Sequence, residues 1–379
     1  MNKVFSLPTP AKVNATSPEN APSLRIDLGA VRSNYREMRR RYHGQVLSAV
    51  VKSDAYGVGL EPVVRTLAKA GCRDFWVNDL EEAARVRLNA PEATAYTLMG
   101  LGNAHIRDFE ALGAMPAIAT LAELEHCARH AMLGGRRIPV AVQVDTGLGR
   151  LGLCEEELAF LAGQPDILDR LDIKLWVSHL AAYNLPGDPE NAEQRRRLRD
   201  WVSALPHAPI SLAASSGVFM ADEWHFDMAR VGSALYGVQT SAVWQDGLVP
   251  CYELSAPVIR VAEFPAGRHL GYRGTTELKR PSRIATIGIG YANGLPQRFA
   301  EIGRVRFAGT SVPLVGGIAM NMTMIDLTDV PACVDLATER AIFLDRDQPV
   351  EPLAEKLDCA PNVLLTQIGA GTRRIYLDD

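Results

Sequence analysis

The chain has 379 residues, of which 47% are hydrophobic and 22% charged, and its formal net charge is -4. This composition is that of an ordinary globular protein, and the mildly acidic balance gives no electrostatic basis for binding nucleic acid. No apolar run reaches the roughly 18 residues needed to cross a bilayer, so we expect no membrane span. The length exceeds the usual size of a single hydrophobic core and predicts two domains.

The N-terminal residues 1–22 are rich in Ser, Thr, Pro and Asn and contain no long apolar stretch. They are predicted to form a flexible leader and not a signal peptide. The six cysteines are scattered without any C-x-x-C pair: Cys72, Cys127, Cys154, Cys251, Cys333 and Cys359. This spacing indicates reduced thiols in a cytoplasmic protein, with neither a disulfide framework nor a metal site.

Residues 23–241 alternate between short apolar runs and helical patterns. The predicted strands are 23–28, 49–51, 75–77, 95–99, 117–119, 138–144, 174–177, 211–213 and 228–230. Helical spacing of apolar residues is found at 29–42, 62–70 and 80–88. Such alternation predicts a parallel β/α barrel or a doubly wound sheet. In a barrel, the residues that follow each strand gather at one mouth, where active sites lie.

Beyond residue 241 the pattern changes to short strands separated by Gly and Pro turns with little helix. The predicted strands are 251–261, 283–289, 304–307, 312–315, 324–327 and 341–344. We therefore expect residues 242–379 to form a second, mainly β domain.

The most informative stretch is residues 49–59, which reads AVVKSDAYGVG. A buried strand is followed by Lys52 and then by a turn that contains two glycines. An ammonium at such a strand end is costly unless its pKa falls or it becomes covalently bound. A lysine shifted toward neutrality is a good nucleophile and commonly forms a Schiff base, for example with pyridoxal phosphate. Considered alone, Lys52 fits better as a side chain that reaches past the strand end to solvent.

The complete string AVVKSDAYGVG resembles the motif that contains the cofactor-binding lysine of the alanine racemase family. Members of that family are fold-type III pyridoxal-phosphate enzymes. At least six motifs in the order of that family extend the resemblance over residues 24–377. The resemblance implies an N-terminal (β/α)8 TIM-type barrel, residues 23–241, that binds pyridoxal 5'-phosphate through Lys52. A mainly β C-terminal domain, residues 242–379, would follow it.

Four strand-end segments resemble the family's cofactor site, and one of them is SSG at 215–217. The resemblance of DTGLGRLG at 145–152 implies that Arg150 hydrogen-bonds the cofactor's phenolic oxygen. That of SHLA at 178–181 implies that His179 stacks on the cofactor's ring. ARVGSALYG at 229–237 places Arg230 at the pyridine nitrogen. The phosphate would be bound by the following residues: Tyr56, Ser216, Gly232 and Ser233. Taken singly, each segment would also fit a structural role, such as a surface arginine, a packed histidine or an N-cap serine.

Three segments of the second domain resemble the family's substrate side. GYRG at 271–274 makes Tyr272 the second catalytic base, and GYANGLP at 290–296 adds Tyr291. GGIAMNM at 316–322 adds Met320 and Asn321, and Arg150 is predicted to contact the substrate as well. In the family, the active site is shared across a head-to-tail homodimer. The resemblance therefore implies that Tyr272, Tyr291 and Met320 act at the site of a partner chain.

Five positions near the inferred pocket depart from the family's pattern. Gln143 replaces a lysine that becomes carbamylated in many members, and Ser215 replaces an asparagine. Asn293 and Asn321 each replace an aspartate, and Ala370 lies roughly where many members have a pocket tyrosine. These departures leave the identity of the amino-acid substrate open.

Racemisation removes Hα from one face of an amino acid and returns a proton to the other. Lys52 and Tyr272 would serve as the two bases, with the tyrosine's pKa lowered from about 10 by cations such as Arg150 or Arg273. We predict a pyridoxal-phosphate-dependent racemase that interconverts L- and D-alanine. Two alternatives remain: a racemase or epimerase for a larger or specialised amino acid, and a related barrel acting as decarboxylase, aldolase or non-catalytic cofactor carrier.

Overall fold

The computed structural model describes residues 21–331 and 339–378. Most of the predicted leader, residues 1–22, and Cys333 lie outside the described residues. The other five cysteines are free thiols. The chain divides into two compact units. Of the described residues, the barrel unit comprises 26–252, 349–370 and 376–378, and the β unit comprises 21–25, 253–331, 339–348 and 371–375.

The barrel unit is built on eight parallel strands: Val46–Val50, Asp74–Val77, Thr94–Thr97, Ala114–Ile118, Ile138–Gln143, Leu171–Val177, Ile210–Ser211 and Met228–Val231. The first seven strands pair in chain order, and the last strand pairs with the first, with Val46 opposite Met228. A bridge between Ala214 and Arg230 joins the seventh strand to the eighth. The predicted (β/α)8 barrel is therefore confirmed.

Helices connect these strands: Leu28–Arg41, Lys52–Tyr56, Leu60–Lys69, Leu80–Asn89, Ile106–Leu112, Leu121–Gly134, Glu155–Ala162, Pro165–Leu168 and Pro189–Val202. Three single 3-10 turns follow, Ser216–Phe219, Asp222–Trp224 and Ser233–Tyr236. Several helices begin at side chains that accept a backbone N–H of the first turn, among them Asp79, Thr120 and Asp188. Two further helices, Val350–Leu357 and Pro361–Gly371, come from the C-terminal part of the chain.

Buried side chains fill the interior of the barrel. Trp76 and Tyr96 stack with their ring centroids 4.4 Å apart, and they belong to a cluster with Val50, Leu175 and Met228. Because this part of the barrel is packed, a ligand is expected at the strand ends. Among the described residues, no helix combines the length and apolar character of a bilayer span.

The β unit contains an eight-stranded sheet in the order Ser282–Ile287, Thr323–Asp326, Thr310–Val315, Arg304–Phe307, Arg340–Leu344, Tyr252–Phe264, Ser23–Asp27 and Arg373–Leu377. The long strand Tyr252–Phe264 also pairs antiparallel with Ser282–Ile287. The remaining elements are a ribbon, His269–Leu270 with Thr276–Glu277, the helix Phe299–Ile302, and 3-10 turns at Tyr272–Gly274 and Tyr291–Asn293. The predicted mainly β character of this region is confirmed.

Two segments do not follow the predicted division of the chain into domains 23–241 and 242–379. The strand Ser23–Asp27 pairs in the sheet of the β unit and not in the barrel. The helices Val350–Leu357 and Pro361–Gly371 fall mainly within the barrel unit. The second of them packs so closely that a Cβ on Gly369 would lie 2.0 Å from the carbonyl oxygen of Gly57. This contact explains why the segment belongs with the barrel despite its position in the chain.

Candidate active site

A cavity of about 640 Å³ lies at the carboxyl ends of the barrel strands. It is lined by every residue that the sequence predicted on the cofactor side: Lys52, Tyr56, Arg150, His179, Ser216, Arg230, Gly232 and Ser233. These residues lie in or just beyond the ends of different strands, so the closed barrel is what brings them together. Their roles remain predictions.

Lys52 begins a short turn, Lys52–Tyr56, that we call the lysine turn. Its four following residues, Ser53 to Tyr56, have φ between 54 and 58°, which is the left-handed region. For L residues this conformation costs about 1–2 kcal/mol each, so contacts from outside the turn must hold it. Two residues that sequence reasoning missed supply such contacts. The Asp54 N–H donates to Glu82 Oε1 over 2.9 Å, and Arg85 pairs with Asp54 Oδ1 at 2.5 Å.

The environment of Lys52 disfavours its charged form. Burial lowers the pKa of the Lys52 amine, and the cations Arg150 and Arg230 act in the same direction, whereas Glu82 opposes them. The neutral form of a lysine amine is the one that attacks a carbonyl carbon, and a lowered pKa makes that form more abundant. The cavity therefore contains a nucleophilic lysine next to fixed positive charge.

Arg230 is held rigidly beneath this cavity. Its Nη1 donates to the carbonyl oxygen and the hydroxyl of Ser211 over 3.0 and 2.6 Å, and its Nη2 donates to the Ser178 carbonyl oxygen over 2.6 Å. The guanidinium carbon lies 5.6 Å from the centroid of the Trp76 ring. Burial lowers the pKa of Arg230 to about 10, which leaves it protonated at neutral pH. It is a fixed cation that cannot act as a proton donor there.

His179 lies next to Arg230, with Nδ1 3.5 Å from the arginine Nη2. Burial, Arg230, Arg150 and Lys52 together lower the pKa of His179 to about 3. The imidazole is therefore neutral across the physiological range and presents an uncharged ring face. Tyr183, which sequence reasoning missed, also lines the cavity, with its ring centroid 5.9 Å from that of His179.

Several hydroxyl-bearing residues line the cavity. Ser216 Oγ is buried and has no hydrogen-bond partner among the residues that the structure describes. Ser233 Oγ lies 3.2 Å from Thr240 Oγ1. A Cβ on Gly232 would lie 2.4 Å from the Tyr56 hydroxyl oxygen, so only glycine admits the tyrosine at this point. A buried orphan hydroxyl among other hydroxyls fits an oxyanion ligand such as a phosphate.

The Gly232 N–H was predicted to face the phosphate, but it donates to Ser215 Oγ over 3.0 Å. The Ala234 N–H donates to the same oxygen over 3.3 Å. Ser215, one of the departures from the resembling pattern, thus holds the start of the turn Ser233–Tyr236. Gly232 also leaves the space that Tyr56 occupies, and its predicted role at the phosphate stays a prediction.

Family models match both parts of the chain: "Alanine racemase, N-terminal domain" over residues 26–240 and "Alanine racemase, C-terminal domain" over residues 251–376. The chain belongs to the alanine racemase family. The family identified from the sequence is therefore confirmed.

Individual relatives agree with the family models. The catabolic alanine racemase of Agrobacterium fabrum is 34% identical over 355 residues, covering 93% of this chain and 92% of that protein. The crystal structure of alanine racemase from Bartonella henselae, with covalently bound pyridoxal phosphate, has a TM-score of 0.90 at 31% identity. It covers 94% of this chain and 99% of that one. Biosynthetic alanine racemase from Pseudomonas aeruginosa has a TM-score of 0.84 at 28% identity, with 95% and 100% coverage.

In this member of the alanine racemase family, Gln143 is one of the departures from the resembling pattern. Its Nε2 donates to the carbonyl oxygens of Leu98 and Ala117 over 3.0 and 2.6 Å. The side chain therefore ties together the ends of neighbouring strands while also lining the cavity. Ala370 is exposed, whereas other residues of the helix Pro361–Gly371 line the cavity: Asn362, Val363, Thr366 and Gln367.

Gln194 is a further residue that sequence reasoning missed. It is fully buried, and its Nε2 donates to Thr146 Oγ1 over 3.1 Å and to the His179 carbonyl oxygen over 3.2 Å. Its Oε1 accepts the Ala181 N–H over 2.8 Å. One amide thus ties the loop that carries Arg150 to the loop that carries His179. In the sequence, Gln194 is one polar residue within a charged helix and gives no signal of this role.

The predicted substrate residues of the β unit are exposed. Tyr272 is 78% exposed, Met320 56% and Tyr291 42%, and Asn321 is exposed as well. Within the unit, the Tyr291 N–H donates to the Ala319 carbonyl oxygen over 3.0 Å, which joins two of the predicted segments. Arg273, the residue after Tyr272, has φ of 62°. The structure thus presents large side chains to solvent on loops held by backbone contacts.

Proposed function

We propose that this protein is a pyridoxal-phosphate-dependent racemase that interconverts L- and D-alanine. The observation that carries the proposal is the enclosure of Lys52 in one cavity with Arg150, His179, Arg230 and Ser216. The names of the relatives support alanine as the substrate, and the covalently bound cofactor of the Bartonella henselae structure supports pyridoxal phosphate.

The residues present fit this cofactor. Lys52 offers an amine of lowered pKa for the cofactor's aldehyde. The Ser216 hydroxyl, which has no other partner among the described residues, offers a donor for the cofactor's phosphate, next to Ser233 and Tyr56. The neutral ring of His179 offers a flat face for its pyridine. When bound, the cofactor supplies an electron sink for the carbanion that remains after Hα is removed.

The protein's own groups would divide the remaining tasks. Arg230, a buried cation that keeps its proton, opposes protonation of a ring nitrogen placed against it and so moderates the electron sink. Arg150, an exposed cation at the cavity, orients the cofactor's phenolic oxygen and the substrate carboxylate. Lys52 Nζ accepts Hα from one face of the substrate. Tyr272 Oη delivers a proton to the opposite face, and the roles reverse in the other direction.

We place Tyr272 at the active site of a second copy of the chain, in a head-to-tail homodimer. Its side chain is 78% exposed, which is unusual for a catalytic tyrosine within its own unit. A partner copy that received it would supply the second face of the site, together with Tyr291, Met320 and Asn321 as substrate contacts. The free thiols of the described cysteines support a cytoplasmic location.

A racemase for a larger amino acid is the second candidate. Two of the departures from the family's pattern, Gln143 and Ser215, line the cavity directly. A panel of L-amino acids with chiral analysis of the products separates the candidates. We expect alanine to give the highest kcat/KM. A bulkier substrate well above alanine would establish the second candidate, and release of carbon dioxide without Hα exchange in deuterated water would refute both.

A further inference from the structure

The lysine turn needs an external support because its backbone is intrinsically unfavourable. Four successive L residues at left-handed φ leave the turn several kcal/mol above an ordinary helical turn. A small change in that backbone would redirect the Lys52 side chain, since Lys52 is the first residue of the turn. The contacts that fix the turn therefore bear directly on the amine.

Glu82 makes the central contact. It lies near the N-terminus of the helix Leu80–Asn89, where its own N–H donates to Asp79 Oδ1 over 3.0 Å. Its Oε1 accepts the N–H of Asp54 from the lysine turn, and its Oε2 accepts the N–H of Asn78, each over 2.9 Å. One carboxylate therefore joins the lysine turn to the segment that follows the neighbouring strand.

An outer contact strengthens the same connection. Arg85 lies three residues after Glu82 on the same helix, which places both on one face. Arg85 pairs with Asp54 Oδ1 at 2.5 Å and with Glu61 at 2.7 Å. Asp54 Oδ1 also accepts the Leu60 N–H over 3.0 Å, so Asp54 is held from both sides of the turn.

The chemistry of this contact requires a carboxylate. Two backbone N–H groups need two acceptor oxygens, and charge assistance strengthens each bond. A glutamine would supply one oxygen and direct its NH2 group at the other N–H, leaving that donor unsatisfied. The arrangement is thus selective for the acid at position 82.

We propose that Glu82 is a positioning residue for Lys52: its carboxylate fixes the lysine turn and with it the direction in which the amine enters the cavity. This inference rests on the proposed function, in which Lys52 binds the cofactor covalently. Glu82 does not touch the substrate. It acts through the backbone of Asp54, and Arg85 supports it from outside.

The test compares Glu82→Gln with Glu81→Gln, a control one residue earlier on the same helix whose side chain is exposed. Each full-length protein is freed of cofactor, and the rate at which added pyridoxal phosphate becomes covalently attached to Lys52 is measured by borohydride reduction and mass spectrometry. Values of kcat and KM for alanine and the thermal unfolding midpoint are measured in parallel. The attachment rate distinguishes positioning from a general loss of stability.

We expect Glu82→Gln to slow attachment and to lower kcat by about tenfold or more, because small misplacements of a reacting group are costly. KM should change by less than about threefold, and Glu82→Asp, which keeps both oxygens, should recover part of the loss. Glu81→Gln should match the wild type. Equal attachment rates and equal kcat for Glu82→Gln and the wild type would overturn the proposal.

A substitute variant covers the case in which Glu82→Gln does not fold. Arg85→Met removes only the outer contact, and we expect a smaller loss of attachment rate in the same direction; an unchanged rate would overturn the proposal. Wild-type protein that attaches the cofactor at Lys52 without racemising alanine would refute the proposed function alone, and the Glu82 comparison would still decide the inference. Wild-type protein that never attaches the cofactor would refute both.

Discussion

Gly369 of the helix Pro361–Gly371 lies directly against Gly57, the residue that follows the lysine turn. A Cβ at position 369 would lie 2.0 Å from the Gly57 carbonyl oxygen, and a Cβ at position 57 would lie 2.9 Å from the Thr366 carbonyl oxygen. Two backbones can approach this closely only where both side chains are absent. The contact holds a cavity-lining helix against the segment that carries Lys52.

Gly369→Ala should therefore destabilise the protein. Alanine would favour the helix by about 1 kcal/mol, but a Cβ forced against backbone costs about 1–3 kcal/mol. The clash should prevail, because neither backbone is free to move without disturbing the lysine turn. We expect the free energy of unfolding to fall by up to about 2 kcal/mol in urea titrations, with weaker retention of the cofactor.

Gly134→Ala is the matched control for this substitution. Gly134 ends the helix Leu121–Gly134, and a Cβ there would meet no atom within 4 Å. This variant should be neutral or slightly more stable. Equal effects of the two substitutions would show that the contact between Gly369 and Gly57 is unimportant.

Gln194→Leu should disturb both loops that line the cavity. The substitution leaves the Ala181 N–H and the His179 carbonyl oxygen without their buried partner. Each lost partner costs about 1–3 kcal/mol, so we expect roughly 2–4 kcal/mol of destabilisation and a raised KM for alanine. Asp200→Leu, at an exposed position of the same helix, should change the free energy of unfolding by less than about 0.5 kcal/mol. Similar losses from the two substitutions would contradict this role.

His179 predicts a pH dependence of stability. Its pKa is about 3 in the folded protein and 6.5 in the unfolded chain, so below pH 6.5 the unfolded chain binds the proton more tightly. Stability should therefore fall as the pH falls from 6.5 toward 3, by up to about 2 kcal/mol between pH 6.5 and 5 from this group alone.

The measurement compares urea unfolding of wild type and His179→Phe at pH 7.5 and pH 5. The variant has no titrating group at this position, so it should lose less stability between the two pH values than the wild type does. Parallel losses would mean that His179 is not held neutral by the fold. Other histidines, such as His225, are present in both proteins, so their contribution to the pH dependence of stability cancels when the two proteins are compared.

Lys52→Ala and Tyr272→Phe should each abolish racemisation in different ways. The first should remove the absorbance of the covalently bound cofactor, and the second should keep it near the wild-type value. When the two inactive variants are unfolded, mixed and refolded together, half of the dimers would contain one variant of each kind. A shared active site makes one of the two sites in such a dimer complete, so about a quarter of the wild-type activity should return. No recovery in mixtures with proven subunit exchange would place Tyr272 at the site of its own chain.

Most strands were predictable because each is a short apolar run between polar or glycine-rich segments. Arg304–Phe307 was predicted with its observed bounds, and Met228–Val231 within one residue. Ser23–Asp27 was correctly predicted as a strand but assigned to the wrong sheet. Its partner strand, Tyr252–Phe264, lies more than 200 residues away, and no local pattern specifies that pairing.

The helix Pro361–Gly371 was missed for a different reason. Its buried residues Leu364, Leu365 and Ile368 follow helical spacing, and proline stands at its first position. The expectation of a mainly β region prevailed over that local signal. The contact that assigns the helix to the barrel unit joins Gly57 and Gly369, which only the folded chain brings together.

The residues of the candidate site also divide into those that a local sequence pattern reveals and those that it does not. Lys52, Arg150 and Arg230 each belong to a recognisable local string, and the structure brings all three to one cavity. Glu82 and Gln194 belong to none. Glu82 contacts a residue 28 positions away, and Gln194 contacts one 48 positions away. Residues that act by joining distant loops become visible only in the folded protein.

The attachment point of the cofactor tests the account most directly. Protein loaded with pyridoxal phosphate is reduced with borohydride, digested and mapped by mass spectrometry, while untreated protein is assayed for conversion of L-alanine to D-alanine. We predict that the cofactor mass lies on Lys52 alone and that D-alanine forms. A label on another lysine, or no label on a protein that still forms D-alanine, would contradict the account.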